Sequence, residues 1–217
     1  MNWLFPRTKS SRIRLCCLYS AVSKGDLFMN NKQAAFTLAL QDSPVIAAVK
    51  NEDGLIRALE SDCTVIFFLH GTILNISTLV ARAKACGKFA FVHTDLIEGM
   101  SVKDISADFI ARNTAADGVI STRPNLIRRA KELDLITIQR FFLLDSLSFD
   151  NVLRQSSNAD AVDILPGAMP RVISRLVQQI QQPMIASGLL ADKHDVMAAL
   201  SAGALAVSTT SEDLWFI

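Results

Sequence analysis

Residues 64–94 read TVIFFLHGTILNISTLVARAKACGKFAFVHT, and this stretch decides the fold class. It begins with a nearly continuous apolar run, Thr64 to Leu69, and ends with a second one, Phe89 to Thr94. Such runs are typical of strands in a parallel sheet that is buried on both faces. Between them, Ile76 to Cys86 has apolar residues at helical spacing, and Gly87 follows as a helix C-cap. The stretch therefore predicts a strand, a helix and a second, parallel strand.

The same unit recurs along the chain from Pro44 onward. Helix-starting residues stand between the predicted strands, with Pro124 and Pro170 at first-turn positions, Asp192 as an N-cap, and Ser101 or Asp104 before another helix. The eight predicted strands are Val45–Val49, Thr64–Leu69, Phe89–Thr94, Gly118–Thr122, Ile136–Phe141, Ala161–Leu165, Met184–Ser187 and Leu205–Thr209. Eight such units predict an α/β fold, a single-domain (β/α)8 TIM-type barrel over residues 44–217. An open doubly wound sheet is the alternative.

The composition narrows the class of protein. Hydrophobic residues make up 50% of the 217 residues and charged residues 20%, which excludes a disordered chain. No apolar run approaches the roughly 20 residues of a membrane helix, so we expect no membrane partner. The four cysteines (Cys16, Cys17, Cys63 and Cys86) form neither a disulfide framework nor a paired metal motif. They fit reduced thiols and a cytoplasmic location.

The N-terminal segment differs from the rest. Residues 1–28 carry five basic residues and one acidic residue, so the remaining chain is slightly acidic although the net charge is +1. We expect residues 1–43 to be a poorly ordered tail, with Met29 as an alternative start of the protein proper. A signal peptide and a basic arm that contacts RNA are the other interpretations. The acidic body lacks the basic balance that is typical of nucleic-acid binders.

Polar residues gather where the predicted strands end, which is where barrels of this type bind ligands. They are Lys50, His70, His93, Asp95, Ser121 to Arg123, Gln139, Arg140, Asp163, Gly167, Ser187, Gly188 and Ser208 to Thr210. The loops after strands seven and eight of many barrels hold a phosphate with backbone amides. Ser187, Gly188, Ser208 and Thr209 are therefore candidate phosphate-binding residues, with ordinary turn chemistry as the alternative.

Two further groups of residues have open interpretations. His93 and Asp95 are two apart and would share one face of a strand, as base and orienting group or as partners for ligand hydroxyls, although His93 could also be structural. Asp163 could pair with Lys50 or Arg140 or accept bonds from a polyol. No metal site or cofactor is predicted, because the histidines and carboxylates lack metal-ligand spacing. Familiar enzyme motifs are missing, yet an isomerase that uses Asp95 and Asp163 stays open.

Four basic residues lie on and around the predicted fourth helix: Arg123, Arg128, Arg129 and Lys131. A solvated helix face explains them. Contact with RNA is the second interpretation, although no RNA-binding module signature is present.

Residues 87–99, GKFAFVHTDLIEG, carry the pattern GK-x3-VH-x-DLI-x-G. Further motifs follow in order: DGVISTR (117–123), QRFFLLDS (139–146), ILPG (164–167), STT (208–210) and LW (214–215). Together they resemble the glycerol-3-phosphate-responsive antiterminators, regulators of the glycerol uptake operon. The resemblance covers about residues 44–217. Where that family often has two glycines after strand seven, this chain has Ser187-Gly188, and serine would be strained there if its φ were positive.

The resemblance implies a barrel that is not an enzyme, senses glycerol 3-phosphate without a cofactor, and binds the leader mRNA of glycerol-utilisation genes. On this reading Ser187, Gly188, Ser208 and Thr209 hold the phosphate. Lys50, Asp95 and Asp163 face the glycerol part, and the remaining predicted ligand-binding residues are His93, Arg140 and Gly167. A phosphate-binding isomerase or lyase, a sensor that acts through a protein partner, and a homo-oligomer stay open as alternatives.

Overall fold

The computed structural model of the protein describes the backbone of residues 24–217 and the side chains of residues 32–217. Eight parallel strands form one closed barrel in sequence order, with β8 paired to β1. The strands are β1 (Val45–Val49), β2 (Val65–Phe68), β3 (Phe89–His93), β4 (Gly118–Ser121), β5 (Ile136–Phe142), β6 (Ala161–Leu165), β7 (Met184–Ser187) and β8 (Ala206–Thr209). The predicted (β/α)8 barrel is confirmed, and the open sheet is wrong because the first and last strands pair.

Helices surround the barrel. They are α1 (Lys24–Asp42), α2 (Glu52–Glu60), α3 (Ile76–Ala85), α4 (Ile105–Asn113), α5 (Pro124–Glu132), α6 (Ser146–Gln155), α7 (Pro170–Val177) and α8 (Lys193–Ser201), and a short 3-10 helix, Glu212–Phe216, follows β8. Pro124 and Pro170 begin their helices as predicted, and the Asp192 side chain caps α8 by accepting a bond from the Asp195 N–H. Within residues 24–217, no helix combines the length and the apolar character that a membrane crossing requires.

The structure differs from the expectation for residues 1–43. Residues 24–42, expected within a poorly ordered tail, form helix α1. Phe36 and Leu40 are almost completely buried and belong to the cluster that fills the barrel interior. The Phe36 ring lies 4.7 Å from the Phe91 ring, centroid to centroid. Helix α1 is therefore a part of the barrel that closes its amino end, whereas residues 1–23, with Cys16, Cys17 and the basic N-terminal residues, lie outside the described residues.

Two apolar clusters follow from the alternation of side chains along each strand. One fills the barrel interior with residues such as Ile46, Phe67 and Ile138. The other lies between strands and helices and contains residues such as Val49 and Leu126. The inner cluster does not reach the carboxyl ends of the strands, where the inward positions become polar.

Candidate functional site

At the mouth of the barrel, which is formed by the carboxyl ends of the strands, the side chains that point inward are polar. Every second side chain of a strand points into the barrel. On β5 the inward residue after Ile138 is Arg140, and on β7 the inward residue after Ile185 is Ser187. The side chains concerned are His93 on β3, Arg140 on β5, Asp163 on β6, Ser187 on β7 and Ser208 on β8, and all are nearly fully buried. A group of buried polar side chains at this end of a barrel is typical of a ligand site.

Arg140, Asp163 and Ser187 form a hydrogen-bonded network at the floor of the mouth. The Arg140 Nε–H donates to Asp163 Oδ2 at 2.6 Å, and the Ser187 hydroxyl donates to Asp163 Oδ1 at 2.5 Å. Both oxygens of Asp163 are thus occupied, and its side chain has no exposed surface. Of the two pairings that the sequence left open for Asp163, the structure shows the one with Arg140. Asp163 therefore holds Arg140 in place.

The arginine keeps free donors. No hydrogen bond joins its two terminal Nη atoms to any of the described residues, because the ion pair uses only Nε. A planar guanidinium that is fixed at one edge and free at the other can bind a phosphate through two donors. Arg140 therefore supplies a positioned positive charge in a buried place.

A cavity of about 320 Å³ opens above this network. Its volume lies at the lower end of the range of roughly 300 to 1,000 Å³ that is usual for small-molecule sites. Its polar lining comes from Arg140, Ser187, Ser208, Thr209 and Thr210. Its remaining wall is Ala48, Leu69, Leu165, Gly188, Leu189, Leu190 and Ala191. The cavity thus lies against the loops after β7 and β8, which contain the residues that the sequence analysis predicted to bind phosphate.

The loop after β7 presents backbone donors to this cavity. Gly188 has a φ of 75° and Leu189 a φ of 57°, whereas Ser187 is not among the residues with positive φ. The backbone N–H groups of Gly188, Leu189 and Thr210 have no acceptor among the described residues. Ser187 is therefore unstrained, and the departure from the two-glycine pattern does not disturb the loop. Backbone N–H groups that lack an internal acceptor and belong to residues lining one cavity are suited to an anion.

His93, the last residue of β3, is buried, with 3% of its surface exposed. Its Nδ1 atom has no hydrogen-bond partner within the described part of the chain. Burial lowers the pKa of His93 to about 4, and the positive charge of Arg140 acts in the same direction against the attraction of Asp95. The imidazole is therefore neutral at physiological pH. His93 is not among the residues that line the cavity, and it adds no positive charge there.

Asp95 lies in a different place from the one predicted. Strand β3 ends at His93, and Asp95 sits in a 3-10 turn, Thr94–Leu96, so the two residues do not share a strand face. The Asp95 carboxylate accepts bonds from the Ser121 hydroxyl at 2.7 Å and from the N–H and hydroxyl of Thr122 at 2.7 and 2.8 Å. Burial raises the pKa of Asp95, but these hydrogen bonds outweigh burial and hold the pKa below its usual value. Asp95 therefore joins the ends of β3 and β4.

Three other predicted site residues differ in their surroundings. Lys50 is exposed and does not line the cavity. Gly167 packs against β7 so closely that a Cβ atom would lie 2.8 Å from the Ser187 nitrogen. Thr209 points away from the barrel interior: its hydroxyl donates to the Leu190 carbonyl at 3.2 Å, and its carbonyl accepts from the Trp215 indole at 2.9 Å. Leu189, which belongs to the apolar wall, was missed because an exposed leucine has no pattern that indicates a site.

The four basic residues around α5 do not form one free surface. The Arg129 guanidinium binds the two oxygens of Asp108 at 2.7 and 3.1 Å and also Glu132, and Lys131 pairs with Asp160 at 3.2 Å. Arg123 and Arg128 are exposed and have no carboxylate partner among the described residues. The predicted RNA-contacting set is thus divided into two structural cations and two unpaired ones.

The structure also brings Asp192, His194 and Asp195 together at the start of α8. Asp192 accepts a bond from the Asp195 N–H, and Asp195 accepts one from the Ala191 N–H. These exposed carboxylates cap the helix, which explains why they are close to each other.

The fold and the cavity define a class: a (β/α)8 barrel with a polar cavity at its mouth that is suited to a small anionic molecule. Residues 45–215 match the family model described as glycerol-3-phosphate responsive antiterminator, and the chain belongs to this family. A curated relative, the uncharacterized protein YgcP of Escherichia coli K12, is 43% identical over 178 residues, which are 81% of this chain and 93% of YgcP.

The chain is also similar to two solved structures whose names refer to the glycerol uptake operon antiterminator. The glycerol uptake operon antiterminator regulatory protein of Listeria monocytogenes is 31% identical, with a TM-score of 0.76 over 80% of this chain and 95% of that one. A glycerol uptake operon antiterminator-related protein of Thermotoga maritima is 29% identical, with a TM-score of 0.70 over 79% of this chain and 96% of that one. Aldolases and an epimerase are similar at 16% identity or less, which shows the fold alone.

Proposed function

We propose that this chain is a cytoplasmic transcription antiterminator that binds glycerol 3-phosphate at its mouth and, in that state, binds the leader mRNA of glycerol-utilisation genes. The observation that supports ligand binding is the cavity at the loops after β7 and β8, with a fixed arginine and free backbone N–H groups. Membership of the antiterminator family supports the RNA part.

The phosphate of the ligand would lie between the free Nη atoms of Arg140 and the loop after β7. There it would accept bonds from the N–H groups of Gly188 and Leu189 and from the Ser208 hydroxyl. A phosphate in this place gains charge-assisted bonds in a largely buried setting, where they are strongest. A ligand that binds more tightly to the RNA-competent state shifts the population toward that state.

A binding role fits the carboxylates better than catalysis does. The isomerase alternative requires Asp95 and Asp163 as free acid and base groups. Both oxygens of Asp163 accept hydrogen bonds and Asp95 is tied to Ser121 and Thr122, so neither carboxylate is placed to exchange protons with a ligand. We therefore propose a sensor without catalytic residues or cofactor.

The first test is binding. Glycerol 3-phosphate should raise the melting temperature of the protein, whereas glycerol alone should have little effect because the phosphate supplies most of the contacts. Gly188→Asp places a negative charge on the phosphate loop at a φ of 75° and should abolish this stabilisation. Gly87→Asp is the matched control, because Gly87 has a φ of 72° with open space around it at the opposite end of the barrel. Equal stabilisation of both variants would place the phosphate elsewhere.

The second test is RNA binding. Leader RNA from a glycerol-utilisation gene should be retained in a gel shift only when glycerol 3-phosphate is present. Absence of retention at every salt concentration, with ligand bound, would overturn the antiterminator proposal. Conversion of glycerol 3-phosphate to a product would favour the isomerase or lyase alternative instead.

A further inference from the structure

A second concave surface lies beside the mouth, between the segment that precedes α4 and the loop that joins β4 to α5. It has a volume of about 870 Å³ and is lined by Val102, Lys103, Asp104, Ile105, Thr122, Arg123, Pro124 and Asn125. We call these eight residues the β3–β4 groove. The groove shares no lining residue with the mouth cavity, so it is a separate surface.

The unpaired cations on this side of the barrel gather at the groove. Lys103 and Arg123 are exposed, and neither forms an ion pair within the described residues. Arg128, one turn along α5, donates only to the Asn125 side chain, at 3.2 Å. Asp104 is the single carboxylate in the lining. A locally basic surface is required for binding RNA here, because the charge of the chain from residue 29 onward is slightly negative.

Apolar side chains lie next to these cations. Val102 is 58% exposed and Ile105 is 62% exposed, although aliphatic residues at such positions gain nothing from contact with water. Cations beside an apolar surface fit a single-stranded polyanion, since phosphates contact the cations and base faces cover the apolar side chains. The Asn125 amide adds a group that can bond base edges. Of the polyanions, RNA fits this combination of contacts.

The groove is connected to the segment that follows β3 by hydrogen bonds. Asp95 accepts bonds from Ser121 and Thr122, and the Ser121 hydroxyl in turn accepts one from the Arg123 N–H at 3.1 Å. The backbone that carries Arg123 is therefore held by Asp95, which follows His93 by two residues. A shift of the β3 end upon ligand binding would be passed to the groove through these contacts.

We propose that the leader RNA binds in the β3–β4 groove, through Lys103 and Arg123, and that Asp95 is a positioning residue linking the groove to the ligand in the mouth. The proposal rests on the proposed function, since it places the RNA contact of that function on a defined surface. Arg129 and Lys131 are not part of this surface, because their charges are satisfied within the protein.

The experiment measures the affinity of the full chain for a fluorescently labelled leader transcript by anisotropy, at saturating glycerol 3-phosphate and over a series of salt concentrations. The test variant is Lys103→Gln with Arg123→Gln. The matched control is Arg154→Gln with Lys193→Gln, which removes the same charge from exposed positions on α6 and α8. The test variant should bind about tenfold more weakly or worse. Its log–log salt dependence should lose a slope of about 0.7 for each phosphate contact removed. The control should match the wild type.

Three outcomes are distinguishable. Weak binding by the test variant alone, with its melting temperature still raised by glycerol 3-phosphate, supports the groove. Wild-type affinity of the test variant overturns the groove and leaves the proposed function in place. If the wild type binds no leader RNA, the proposed function fails and the groove fails with it.

Asp95→Asn tests the positioning role. The variant should keep binding glycerol 3-phosphate, because Asp95 does not line the cavity, but the ratio of RNA affinities with and without ligand should fall several-fold toward one. A purely structural role would lower the stability of the protein without changing this ratio. An unchanged ratio would therefore overturn the coupling through Asp95.

Discussion

The inward side chains at the amino ends of the strands contrast with those at the carboxyl ends. At the amino end, Phe36 and Leu40 of α1 pack against β-strand residues such as Phe91 in a continuous apolar cluster. At the carboxyl end, the same strands present Arg140, Asp163 and polar groups around a cavity. The difference indicates that the amino end contributes to stability alone, whereas the carboxyl end also contains the candidate binding site. Substitutions at the two ends should therefore have different consequences.

Phe36→Ala should have the largest effect on stability. Removing a fully buried ring from the amino end should cost about 3 to 5 kcal/mol in the free energy of unfolding, because a cavity remains. The affinity of the folded protein for glycerol 3-phosphate should not change. Urea unfolding and calorimetric titration measure the two quantities. Leu38→Ala, on the same helix but 58% exposed, is the control and should stay within about 0.5 kcal/mol. Equal costs for the two variants would contradict the closing role of α1.

Asp163→Ala should affect both properties. It leaves the Arg140 charge buried without its partner, which should destabilise the protein by about 3 kcal/mol. It also releases the guanidinium from its fixed position, so the affinity for glycerol 3-phosphate should fall. The same two measurements apply. A loss of stability with full ligand affinity would show that Arg140 does not depend on Asp163 for its position.

The pH dependence of stability should report His93. Its pKa is lowered to about 4 in the folded protein. The unfolded chain, with an ordinary histidine pKa near 6.5, therefore binds the proton first as the pH falls. Stability should decrease on the order of 2 to 3 kcal/mol between about pH 6.5 and pH 4, and it should be fully present above that window. Denaturant unfolding at a series of pH values measures this. His93→Gln should reduce the slope in this window, and an unchanged slope would show that another group causes the pH dependence.

The smallest effect concerns two residues with left-handed backbone at opposite ends of the barrel. Leu189, at the mouth, has a φ of 57°, and Asp134, after α5, has a φ of 59°. Leucine is poorly suited to this conformation, whereas aspartate tolerates it. Leu189→Gly should therefore raise the free energy of unfolding by roughly 0.5 kcal/mol, and Asp134→Gly should be closer to neutral. Thermal unfolding of both variants tests the difference. A greater gain for Asp134→Gly would contradict the assignment of strain to the mouth.

Sequence reasoning predicted the eight strands closely because each is a short apolar run bounded by turn and capping residues. Helix α1 was missed because its apolar residues show no clear helical face, and only Phe36 and Leu40 reveal its role through burial. The candidate cavity lies at the loops in which phosphate-binding residues were predicted. Ser187, Gly188, Ser208 and Thr209 all line it, but the Thr209 hydroxyl is bonded to the Leu190 carbonyl, since adjacent strand residues alternate and Thr209 points away from the barrel interior.

The sequence by itself determined the repeating βα unit, the single barrel and the end of it that is polar, because these depend on local periodicity and on residues close together in the chain. The tertiary structure decided which polar side chains meet. Arg140 pairs with Asp163 because β5 and β6 are neighbours in a register that brings these two residues level. Asp95 turns to β4 because β3 ends at His93. Such contacts depend on strand ends and barrel closure, which join residues far apart in the chain.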